Sequence, residues 1–230
     1  MHLESCTSEA TQRELAKFAN WILSIGDGTI LTVKDTNDLI TIPDDFLLTP
    51  VDNPLYCIVN AIYPNLPDHL QDKAYFNDRA ILCPILSVVD EVNSFMLSLL
   101  PSEEVEYLSM DIISKQDTAS SSIDNIHSIE FLNTIKMSGL PNHVLKLRVS
   151  APVMVTQNID KSNGLCNDTR LIVTRLEKHV IIYQMLYDTI TSQSVMIPRI
   201  TTPSDYGYPF TLCRHQFPLT LSFAMTINKS

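Results

Sequence analysis

Glycine is scarce in this chain, five in 230 residues, so a glycine-rich backbone cradle for phosphate is not expected. The motifs that build such cradles, G-x-x-x-x-G-K-S/T and G-x-G-x-x-G, do not occur. H-E-x-x-H and G-x-S-x-G are missing too, which removes the zinc-protease and serine-hydrolase readings. The five cysteines (Cys6, Cys57, Cys83, Cys166, Cys213) are odd in number and never spaced C-x-x-C. That pattern fits reduced thiols in an intracellular protein better than a disulfide frame or a zinc site. Cys213-x-His215 lacks further ligands at zinc spacing, and His69, His127, His143 and His179 have no partner that sequence can name. No run reaches 18 apolar residues, so no membrane span is expected. The opening Met1-His2-Leu3-Glu4-Ser5 is polar and acidic, unlike a signal peptide.

Positive charge is also short, with 16 Lys+Arg against 26 Asp+Glu and a net charge of −10. Its distribution is uneven. Residues 1–140 hold 7 basic against 21 acidic side chains, and residues 141–230 hold 9 against 5. Any contact with a phosphate backbone is therefore expected in the C-terminal part, where Lys146, Arg148, Lys161, Arg170, Arg175 and Lys178 gather. The adjacent acids Asp44-Asp45, Asp90-Glu91 and Glu103-Glu104 read as solvated faces, not acid/base pairs.

Apolar periodicity predicts a helix over 9–24 (Leu15, Phe18, Ile22, Ile25), ended by Gly26-Asp27-Gly28. A short strand pair is expected at 30–33 and 39–42. Asn53-Pro54 supplies an N-cap and first helical position for a second helix to Tyr63. A buried strand at 79–84 precedes a helix over 87–100, with Val88, Val92, Phe95, Met96 and Leu99 on one face, and then a strand at 105–110. Strand, helix, strand at this spacing predicts an α/β unit with a parallel sheet. Residues 115–128 lack apolar periodicity and read as a loop. Beyond Pro141 the texture becomes all-β, with strands expected at 144–149, 152–156, 171–176, 180–187 and 194–197, and a last one within 217–227 that could return to the first sheet.

Several segments, in order, resemble the C-terminal half of Pif/RecD-type DNA helicases of the Helitron transposon kind. They include 18–28 (Phe18-Ala19-Asn20-Trp21 onward), 42–47, 79–84 with 89–93, 131–133, 138–143, 145–154, 163–173, and 217–219 leading into Ala224-Met225-Thr226-Ile227-Asn228-Lys229-Ser230. The resemblance implies an α/β fold: a partial RecA-like second motor domain with an inserted small SH3-like all-β module. The boundaries it implies are 1–142 for the motor part, 143–212 for the module, and 213–230 for a return strand carrying the Thr-Ile-Asn-Lys-Ser motif.

Members of that family couple ATP hydrolysis to 5′-to-3′ movement on single-stranded DNA, with roles in replication, recombination and repair in the nucleus. The resemblance places the phosphate loop and magnesium-binding acid in a first RecA-like domain upstream, and the arginine sensor downstream. The chain alone is thus expected to hold neither ATP nor Mg2+ and not to hydrolyse ATP; its expected partners are single-stranded DNA, bound weakly, and the missing first motor domain. No membrane association is expected. Thr226, Asn228, Lys229 and Ser230 are the expected contacts to the DNA backbone, with Lys146, Arg148 and Arg170 beside them. Departures from the family pattern are Ile85-Leu86 where Thr-Asn is usual, Gln157 for an arginine, and Ser150 and Asp168 where glycine is common. A protein-binding module without enzymatic activity, and a degenerate transposon remnant, are the alternatives.

Overall fold

The computed structural model describes residues 9–29, 40, 42–48, 53–114, 128–137, 139–186, 194–204 and 207–226. The chain divides into two compact units, 1–51 and 52–230. Among the described residues no helix is long and apolar enough to cross a membrane.

In the first unit, α1 (Glu9–Gly26) ends at the expected Asp27-Gly28 turn, with Gly28 at φ 66°. Phe18 and Trp21 of α1 pack on Phe46 of a short 3-10 turn (Asp44–Phe46), with ring centroids 5.2 and 5.6 Å from it. The expected strands at 30–33 and 39–42 lie outside the described residues, apart from Ile40 and Ile42, which are in no strand.

The second unit opens with α2 (Pro54–Ile62), capped by the Asn53 side chain, which accepts from Leu55 N–H at 2.9 Å. There follow α3 (Lys73–Asn77), β1 (Ile81–Cys83), α4 (Leu86–Leu99), β2 (Val105–Leu108), β3 (Met110–Ile113) and α5 (Ile129–Thr134). The rest is strand: β4 (Val144–Leu147), β5 (Pro152–Val155), β6 (Arg170–Leu176), β7 (Val180–Met185), β8 (Ser194–Pro198), β9 (Ile200–Ser204), β10 (Leu212–Gln216), β11 (Leu219–Leu221) and β12 (Ala224–Thr226). The unit is thus mixed α/β with a small-sheet module, as expected. The expected loop at 115–128 lies outside the described residues except Ser128, which caps α5.

Three expectations are corrected. β1, α4 and β2 are not a parallel βαβ unit, because β2 pairs antiparallel with β4. The parallel partner of β1 is β12, in the register Ile81↔Ala224 to Cys83↔Thr226. The strand texture also begins before residue 143: β3 joins β10 and β9 in a three-stranded sheet, while β11 joins the five-stranded sheet β11-β5-β6-β7-β8. Helix α4 is rotated as well, burying Val89, Val92, Asn93, Met96 and Leu97 and leaving Val88 and Leu99 at the surface. A polar residue sits in the buried stripe because β12 supplies its hydrogen bonds.

The main core runs from Tyr63, Phe76, Met96 and Phe223 through Leu147, Val153, Leu171, Ile181 and Tyr183 to Ile197. Both faces of β5 and of the first half of β6 are buried, so these strands read as continuous apolar runs instead of alternating ones. A second, smaller cluster joins Leu132, Ile135 and Leu140 to Phe210 and Leu212.

Ser150 and Asp168 have φ values of 71° and 67°. Both are places where the resembled family favours glycine, and the backbone gives the reason: a left-handed residue with a Cβ is disfavoured. Ser150→Gly is expected to stabilise the chain by about 0.5–1 kcal/mol, strain relief of about 1–2 offset by extra freedom of the unfolded chain. Asp168→Gly should gain less, since aspartate tolerates this region better. Urea unfolding of the two variants measures this; a loss of stability for Ser150→Gly contradicts it.

Candidate nucleic-acid interface

Because β1 and β12 are parallel, their carboxyl ends lie side by side, with Cys83 beside Thr226. In open α/β sheets this end is where ligands approach. The chain leaves β1 through Pro84 and enters α4 at once. Ile85, at the N-cap, supplies no side-chain acceptor, and Val88 and Val89 N–H both return to its carbonyl at 3.2 Å. The first-turn N–H groups of Leu86 and Ser87 therefore sit at this end without a cap, an arrangement that favours an anion. Thr226 is half-buried there. Burial pushes the Cys83 thiol up, so it stands as a neutral group. Leu82, Ile85 and Leu86 are exposed, giving the surroundings an apolar surface where the resembled family carries Thr-Asn.

Three side chains hold the two strands in place. Tyr63 Oη shares its one hydrogen between Phe223 O (3.0 Å) and Arg79 O (3.2 Å), in the residues that lead into β12 and β1. Asn93 accepts from Ala224 N–H at 2.9 Å and donates to Ala224 O at 3.0 Å, fixing β12 against α4. Arg170 donates to Arg79 O and Ser222 O, each at 3.0 Å, and to Asn77 O at 3.4 Å. Sequence reading missed Tyr63 and Asn93. The one signal was an asparagine inside an apolar helical stripe.

Burial pushes the Tyr63 phenol up to about 12, with Arg170 opposing the rise. Since the folded state resists releasing a proton that the unfolded chain gives up near pH 10, this stabilisation is complete below about pH 10 and is lost as pH climbs toward 12. Tyr63→Phe is expected to flatten part of that alkaline fall in stability, followed by unfolding at stepped pH; an unchanged alkaline slope contradicts the assignment.

The expected DNA contacts fare differently. Thr226 stands at the end of β12, while Asn228, Lys229 and Ser230 lie outside the described residues. Arg170 is corrected from surface contact to buried latch, 8% exposed with its guanidinium on backbone carbonyls. Arg148 is likewise turned inward, donating to Leu100 O (2.6 Å) and Ser102 O (2.8 Å) beside Glu104. Lys146 is exposed but paired with Glu104 (3.4 Å) and Glu106 (3.6 Å), which raise its pKa. Arg175 pairs with Glu177, and Arg214 is wholly buried. The basic residues of 141–230 are thus largely engaged, Arg148, Arg170 and Arg214 inside the fold and Lys146 and Arg175 with surface acids, while Lys161 and Lys178 are exposed.

The phosphate-loop motif is missing from the sequence, and among the described residues no three His, Cys, Asp or Glu side chains cluster to hold a metal ion.

No curated protein matches the chain. Among solved structures, the unliganded Pif1 from Bacteroides sp. is 25% identical with a TM-score of 0.46, covering 68% of this chain and 44% of its own. The Pif1 helicase from Candida albicans is 22% identical with a TM-score of 0.45, covering 78% and 45%. The chain therefore spans less than half the length of these helicases. Residues 130–176, from α5 through β6, match the family model described as the 2B domain of DNA helicase Pif1; over these residues the chain is similar to that domain, carried within a mixed α/β unit.

Proposed function

We propose that this chain is part of the second motor domain of a Pif1-type DNA helicase, of the Helitron kind by its motifs, and that it contributes backbone contacts to single-stranded DNA. One observation carries this reading: the segment similar to the Pif1 2B domain lies in sequence between the two strands of a parallel pair, β1 and β12. A β module inserted into a parallel α/β domain is the organisation that the motifs imply. The contacts would fall at the carboxyl ends of that pair, through Thr226 and the Asn228-Lys229-Ser230 that follow, with the α4 N-terminus alongside. Hydroxyls, an amide and one cation suit phosphate oxygens and carry no base readout, as movement along a strand in the 5′-to-3′ direction requires. ATP and Mg2+ would be held by a first motor domain, and the 230-residue chain alone is expected neither to hydrolyse ATP nor to unwind DNA.

With few free cations, binding is expected at roughly 10⁻⁴ to 10⁻⁶ M, falling steeply with salt and indifferent to sequence. Fluorescence anisotropy with a labelled oligo-dT across a salt series tests it. Lys229→Ala should weaken binding equally for all sequences and reduce the salt slope by about one, whereas Lys178→Ala should do less. If no binding appears at low salt, or if Lys229→Ala leaves the slope unchanged, the contact assignment is wrong.

A further inference from the structure

Among the described residues, the β2–β4 pair leaves one edge of β4 without a strand partner. Ser109 N–H donates to His143 O at 2.9 Å, in line with the β2–β4 register, and this fixes which residues face which way. His143, Leu145 and Leu147 turn their main-chain groups toward β2; Val144 and Lys146 turn theirs away from it. No other strand pairs with β4 among the described residues. The bare edge opens onto a cleft of about 390 Å³, which Ser94 and Leu97 of α4 line on one side and Thr220 and Leu221 of β11 on another. β11 is itself the outermost strand of its sheet. Its outward groups are partly used, Leu219 N–H by Phe217 O and Leu221 O by Asn93.

We propose that this cleft receives an extended, uncharged peptide segment of another polypeptide, which adds to β4 through the N–H and C=O groups of Val144 and Lys146. Those groups repeat every second residue, about 6.8 Å apart, a spacing that an extended backbone matches. Charge favours a neutral occupant. The two lysines lining the cleft are already answered, Lys136 by Asp90 at 3.3 Å and Lys146 by Glu104 at 3.4 Å. Lysine often blunts a strand edge, but Lys146 also reaches Glu106, its directly opposed neighbour on β2, so its ammonium is held over the pair. Leu97 and Leu221 call for short aliphatic side chains on the occupant, and Ser94 and Thr220 for hydroxyl-bearing ones.

The test uses the full chain and the peptide acetyl-Thr-Val-Ser-Val-Thr-amide, with amide exchange read residue by residue. Without peptide, the Val144 and Lys146 amides should exchange fast and those of Leu145 and Leu147 slowly. With saturating peptide, the first two should slow by about tenfold or more. The same peptide N-methylated at its two valines should lose the effect, and Ser94→Trp, at an exposed helix position, should block it without lowering the melting temperature. The proposal is overturned if Val144 and Lys146 are protected before peptide is added, if the peptide leaves their exchange unchanged, or if the N-methylated peptide protects as well. Protection that grows with protein concentration alone would make the occupant a second copy and overturn it too.

Discussion

Replacing Arg214 with methionine is expected to destabilise the chain by about 3–5 kcal/mol, because Asp111 is left as a buried charge without its cation. Neither side chain of the pair is exposed. Arg214 Nε meets both carboxylate oxygens of Asp111, at 2.9 and 3.1 Å, and Nη2 adds a third contact at 2.6 Å. The remaining hydrogens go to Leu132 O, Ile135 O and Pro141 O between 2.9 and 3.1 Å, so the whole guanidinium fork is used. Ser109 Oγ donates to the same carboxylate at 2.6 Å. One arginine on β10 thereby ties β3, α5 and the turn at Pro141 together. For a unit of this size the loss corresponds to a fall of about 6–20 °C in melting temperature. Arg214→Lys should recover only part of it, since one ammonium cannot span five acceptors. Pairing Arg214→Met with Asp111→Leu should also recover part, because no charge is left buried while the Ile135 and Pro141 carbonyls still lack donors. Thermal unfolding by circular dichroism decides; a single Arg214→Met variant within about 1 kcal/mol of the parent sinks the account.

The parts of this fold that are local were legible in the sequence. Asn53-Pro54 announces α2, Gly26-Asp27-Gly28 closes α1, and the Val- and Ile-rich runs from 144 to 198 are strands. Pairing was legible only in the return of the last strand to the first sheet; the rest is decided by residues far apart. Nothing in the run from β1 through α4 to β2 says that β2 will turn to β4 and leave β1 to pair with β12 alone. The β9 and β10 strands were missed since their alternation is carried by polar residues: Thr202, Arg214 and Gln216 are buried, each with hydrogen-bond partners. Gln216, for example, donates to Tyr107 O and His143 O and accepts from Phe217 N–H. The same blindness affected the candidate site. A basic residue in a strand looks like surface charge until its partners are known, and Arg148, Arg170 and Arg214 all point inward to backbone carbonyls. The two family-pattern departures at Ser150 and Asp168, in contrast, gained a physical meaning from one dihedral angle each.

Arg170 separates a residue that holds the interface from one that touches DNA. Its guanidinium joins β6 of the module to the carbonyls of Arg79 and Ser222, just ahead of β1 and β12. Arg170→Leu leaves the Asn77 and Ser222 carbonyls without their donor and Arg79 O with Tyr63 alone, and stability is expected to fall by about 2–4 kcal/mol. Affinity for oligo-dT should fall as well, because the two strands whose far ends carry Cys83 and Thr226 lose their common anchor. The salt slope should not change, since no phosphate contact and no counterion release is lost with it. Lys229→Ala predicts the reverse: stability intact and a slope smaller by about one. Arg170→Lys should restore some stability by meeting part of the carbonyl set. Measuring unfolding and the salt series on the same preparations tests both roles at once. If Arg170→Leu lowers the slope as Lys229→Ala does, Arg170 reaches phosphate and the latch is misread; if it changes neither stability nor affinity, the carbonyl contacts hold nothing.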